Sequence, residues 1–130
     1  MSPKQWSLMF LAAALFNFAM GGPIFLASTW SYRLAYLGDV QESAVRFWGD
    51  FGFAVLLIGV GYWILSRDVT KNHGIVWLGI FAKMFDVIVL SWRWASGLAR
   101  PIVLLPATVD GAFAVLFILF LLSGRRQPAR

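Results

Sequence analysis

The chain has 130 residues, 60% of them apolar and only 13% charged, whereas a soluble domain carries about 45–50% apolar and about 25% charged residues. That balance excludes a disordered tail, a nucleic-acid-binding domain and an ordinary cytosolic enzyme, and makes a lipid bilayer the expected partner. The net charge of +5 comes from basic residues that sit mostly between apolar runs, where they bear on orientation in a membrane.

Four runs approach the about 20 apolar residues that a membrane helix needs. They cover residues 6–30, 44–65, 74–94 and 102–123. Each is apolar nearly all round, which argues for helices and against an alternating barrel strand. The first begins after Lys4 and also has the pattern of a signal peptide, with small residues at Ala19 and Gly21. We read it as the first span, kinked or broken at Gly21, Gly22 and Pro23. A polar link at 31–42 leads to the second span, the stretch RDVTKNH at 67–73 leads to the third, and ASGLARP at 95–101 leads to the fourth. Such short links make neighbouring helices antiparallel. The expected fold is therefore all-α: a single membrane domain forming an antiparallel four-helix transmembrane bundle.

Tryptophan and basic residues mark the ends. All seven tryptophans fall near the span boundaries, where an indole keeps its N–H wet and its body in lipid. Tyr62 is expected in the same interfacial belt. Lys4, Arg67, Lys71, Arg125, Arg126 and Arg130 lie on one side; Arg33, Arg46, Arg93 and Arg100 lie on the other. The excess on the first side puts both termini in the cytoplasm of a cell whose inner membrane holds the protein. The tail from Gly124 to Arg130 is expected to stop the last span and touch anionic lipid.

Polar residues at mid-depth are the candidates for function, since a charge at the centre of a membrane helix costs about 2.5–3.5 kcal/mol or more. They are Asn17, Asp50, Lys83, Asp86 and Asp110, with Arg46 one turn before Asp50 and placed to pair with it. Asn17 shares a helical face with Ala13 and Gly21, and Asp110 with Ala107 and Ala114. Lys83 follows Gly79 by one turn, while Asp50 shares a face with Ala54 and Gly61 beside the glycines at 49, 52 and 59. Small residues let helices approach closely, so these faces are expected to point inward. Lys83 has two candidate partners, Asp86 three residues on and Asp110 across the bundle. The cluster is open to three readings: structural glue, a polar cavity for a small ligand, proton or ion, and contact with a partner subunit. With no cysteine and only His73, no metal site, cofactor or catalytic residue is assigned.

Asn17 with Gly22-Pro23, Arg46 with Gly49, Gly59-x-Gly61-Tyr62, Arg67-Asp68, Lys83 and Asp110 occur in that order along most of the chain. In this it resembles small bacterial four-helix membrane proteins that are loosely DoxX-like. The resemblance implies the four-span architecture. Because DoxX is associated with a quinone-linked oxidoreductase complex, it also implies a redox-accessory role, although no quinone motif matches residue by residue. Three functions follow as expectations. The first is a non-catalytic accessory or assembly subunit of a larger membrane complex or homo-oligomer. The second is a small-molecule or proton-handling bundle, which requires a cavity touching Asp50, Lys83, Asp86 and Asp110. The third is a quinone- or lipid-linked redox accessory or enzyme.

Overall fold

The computed structural model describes residues 1–124. The expectation for the basic tail, with Arg125, Arg126 and Arg130, lies outside the described residues. Helix α1 spans Pro3–Leu26, α2 Ser28–Ala35, α3 Glu42–Arg67, α4 His73–Ala95, and α5 Leu104–Gly124 after a single 3-10 turn at Pro101–Val103. The helices α1, α3, α4 and α5 with its leading turn are long and apolar enough to cross a membrane. The all-α bundle is thus what the sequence leads one to expect.

Helix α1 starts on a capping box. The Gln5 backbone N–H donates to Ser2 Oγ at 3.3 Å, and the Ser2 N–H donates to Gln5 Oε1 at 2.7 Å, with Pro3 in the first turn. The helix does not break at Gly21, Gly22 and Pro23. It continues through Pro23 to Leu26, and the chain turns at Ala27 instead, where φ is −129° and ψ 53°. Close packing accompanies it through this stretch: a Cβ on Gly21 would lie 2.8 Å from the Gly52 carbonyl oxygen, so the α1 and α3 backbones nearly touch. The expected link at 31–42 is corrected too. Its first residues belong to α2, which buries Ser31 and Ala35, and Trp30 sits in that short helix rather than ending a long span.

The helices pair unevenly. Helix α1 packs along α3, and α4 along α5, while contact between the two pairs is sparse. At the end holding the N-terminus, aromatic side chains fill the gap. Trp6 meets Phe120 edge-on at 5.3 Å, Phe10 meets Phe117 and Phe120 at 5.0 and 5.1 Å, and Val76 and Leu65 close the core. Trp6 lies near the start of α1, and its ring is buried in the core. At the other end the two links are tied together. The Leu37 N–H donates to the Leu98 carbonyl at 3.0 Å and the Arg100 N–H to the Ala35 carbonyl at 2.8 Å.

Candidate functional site

The polar centre is built from three helices that the fold brings to one depth. Lys83 of α4 donates from Nζ to Asp110 Oδ1 of α5 at 2.5 Å and to Asn17 Oδ1 of α1 at 3.2 Å. Asn17 Nδ2 in turn donates to the Val55 carbonyl of α3 at 3.1 Å. Both ends of the amide thus have the partner they need, the oxygen facing a cation and the nitrogen facing a carbonyl. Lys83 is 3% exposed and Asp110 6%. The ammonium is ringed by Phe16, Tyr62 and Phe113, whose centroids lie 5.5, 5.4 and 5.2 Å away. A buried ion pair persists in such surroundings only with further hydrogen bonds around it, and Asn17 supplies one to the ammonium.

The other sequence candidates stand apart. Arg46 does not pair with Asp50. It is exposed and binds Glu42, one turn earlier on the same helix. Asp50 is exposed, because Gly52 and Gly59 face α1 and Gly49 faces Ser28 of α2, and each step along a helix turns the side chain by about 100°. Asp86 does not take Lys83 either. It is half-buried, near Lys83 and Asp110, and makes no ion pair among the described residues.

A cavity of about 470 Å³ lies against this centre. Asn17, Tyr62, Lys83 and Asp110 border it on the side toward the aromatic plug, and Asp86 stands on its wall with Phe16, Trp48 and Phe51. Its remaining border includes Trp30, Leu34, Phe85, Ile102 and Leu105, all substantially exposed on the apolar outside of the bundle. A second cavity of about 470 Å³ adjoins it, sharing Trp48, Phe51, Phe85, Asp86 and Leu90. There Arg93 donates from Nη1 to Tyr36 Oη at 2.5 Å. Burial pushes the Tyr36 phenol up from its ordinary value, opposed by the Arg93 charge. Asp86 therefore borders both chambers.

Tyr62, expected in the interfacial belt, is fully buried instead. It packs edge-on against Phe117 at 5.1 Å, and its Oη has no partner among the described residues. Gly79 makes room for it, since a Cβ there would lie 2.7 Å from that oxygen. The pointer in the sequence is Gly79, one turn before Lys83: a glycine on the helix face that carries the buried cation marks where a large side chain of another helix is received. No three His, Cys, Asp or Glu side chains among the described residues are grouped to hold a metal ion. Comparison of the chain with family models, with curated proteins and with solved structures gives no match.

Proposed function

We propose that this chain is a multi-pass inner-membrane protein that binds a small molecule with an apolar body and one polar end, in the manner of a transport bundle. The observation that carries this reading is a cavity bordered by the buried Lys83–Asp110–Asn17 centre and walled by aromatic side chains. Ligand sites are concave and mostly apolar, with a few convergent polar groups to fix orientation, and about 300–1,000 Å³ is the usual size. Lys83 has three N–H donors and uses two on Asp110 and Asn17, leaving one for a ligand acceptor. The apolar exposed border favours arrival from the lipid rather than through a polar channel. With both termini cytoplasmic, as the basic residues favour, the cavity half of the bundle lies toward the outer face.

A DoxX-like relationship belongs to this proposal too: Asn17, Lys83 and Asp110, which carry much of the resemblance, are the three residues of the centre. The accessory-subunit and redox readings have no observation that favours them over ligand binding. The test is native purification in mild detergent, with mass spectrometry of the small molecules retained. An amphipathic compound that accompanies the wild type and is lost from Ala82→Trp, which fills the cavity from its α4 wall, supports the reading. An identical small-molecule content in both, with Ala82→Trp folded, refutes it.

A further inference from the structure

We propose that the ligand of this cavity is a lipophilic monocation, and that it exchanges with a proton on Asp86. The inference rests on the binding function just proposed and names its substrate class.

The charges around the cavity do not cancel. Helix α1 contributes neutral Asn17, α2 neutral Ser31, α3 the phenol of Tyr62, α4 Lys83 and Asp86, and α5 Asp110. Lys83 is committed to Asp110. Arg93, the next cation along α4, lines only the adjoining chamber, where it is bound to Tyr36. One carboxylate, Asp86, is left on an apolar wall beside the Lys83–Asp110 pair, with Asp110 and Lys83 as close charged neighbours and no ion pair of its own among the described residues. An unpaired ionised carboxylate is costly in such surroundings, so the site is stable in two forms: Asp86 protonated, or Asp86 ionised beside a bound cation.

The remaining wall suits a cation with a greasy body. Phe16, Trp48, Phe51 and Phe85 border the same space as Asp86. Aromatic faces attract a positive charge and gain strength as water is excluded. A hydrated inorganic ion would meet too few oxygen donors here, whereas an organic cation keeps its apolar surface against apolar wall. Asp86 also opens onto the second chamber, toward Arg93 and Tyr36 at the link end, which gives the proton a polar way out that the ligand does not use. When the cation arrives, the proton leaves Asp86 for water by that side, and the net charge of the site is unchanged.

The experiment uses the full chain in mild detergent and three probes of similar shape: tetraphenylphosphonium, tetraphenylborate and neutral triphenylphosphine oxide, with binding read by equilibrium dialysis. Tetraphenylphosphonium is expected to bind at least tenfold more tightly than either other probe. Its affinity should rise with pH, by up to tenfold per unit. Asp86→Asn should abolish both the preference and the pH dependence, while Asp86→Glu keeps them; circular dichroism and gel filtration report folding of each variant. Equal binding of the neutral probe overturns the cation inference and leaves the cavity reading intact. So does a pH-independent preference that survives Asp86→Asn. Binding of none of the three probes, with wild type and Asp86→Glu both folded, overturns this inference together with the cavity reading.

Discussion

Removing one member of the Lys83–Asp110 pair should cost far more than removing both. Lys83→Met leaves Asp110 and Asp86 facing each other in an apolar interior with no cation between them, and frees Asn17 Oδ1. Asp110→Leu takes the ion-pair partner from an ammonium that is 3% exposed among three aromatic rings, with Asp86 near it but not paired to it. Breaking a buried pair from one side typically costs about 3–5 kcal/mol, because the remaining charge stays buried and uncompensated. Replacing both partners with apolar side chains of similar volume is often neutral, or stabilising by about 1–4 kcal/mol. The double variant should therefore be no less stable than wild type, with a coupling of several kcal/mol between the sites. The measurement is unfolding in mixed detergent micelles of rising dodecyl sulfate fraction, followed by helical circular dichroism. Losses that add in the double variant, or single losses below about 1 kcal/mol, would refute the view that the pair is buried and mutually dependent.

At the helix contacts, Gly52→Val should destabilise by at least about 1–3 kcal/mol in the same assay, since even a Cβ would lie 2.6 Å from the Phe25 backbone nitrogen. Gly22→Ala, with nothing within 4 Å, should stabilise by up to about 1 kcal/mol through helix propensity. Ser31→Ala removes the acceptor of the Trp48 indole N–H, held at 2.9 Å, and should cost about 1 kcal/mol and shift Trp48 fluorescence. In the link before α4, Thr70 and then Lys71 hold the Asp68 carboxyl down at about 2. Since its folded value lies below the unfolded value of about 3.9, its stabilising contribution is complete above that value and lost as pH falls through about 2. The Thr70 amide resonance should follow that titration in the wild type, and its absence from the wild type would refute the assignment; in Asp68→Asn the resonance should stay still.

Composition and span length were enough to read the bundle, because a helix that is apolar all round has few alternatives in a membrane. The small-residue faces were informative where they face another backbone. Ala13 and Gly21 on α1 and Ala107 and Ala114 on α5 are buried, and Asn17 and Asp110 lie on those same faces. The rule misled for Asp50, because a glycine stripe constrains only its own narrow face, and a residue one step away already points elsewhere. At Pro23 the local signal for a break was overridden, because the packing of α1 on α3 is a tertiary effect that no pattern around the proline encodes. Tyr62 was misread for a similar reason. Its position along α3 suits an interface, but the ring is received by Gly79 of a different helix.

The uneven pairing of the helices explains why the bundle has a cavity at all. Glycine contacts draw α1 and α3 so close that their backbones nearly meet, while α4 lies against α5. Two compact hairpins then leave a gap between them that small side chains cannot fill. Near the termini, Trp6, Phe10, Phe117 and Phe120 are large enough to fill it. Toward the links, Ala54, Ala82 and Ser31 line the gap and it stays open. At the boundary between the packed and open halves, the Lys83–Asn17 hydrogen bond joins the hairpins. That polar joint stands between the aromatic contacts of Phe10 with Phe117 and Phe120 on one side and, on the other, the link end, where the Leu37–Leu98 and Arg100–Ala35 hydrogen bonds join the same two pairs of helices, so the gap is closed at both ends and open only between them.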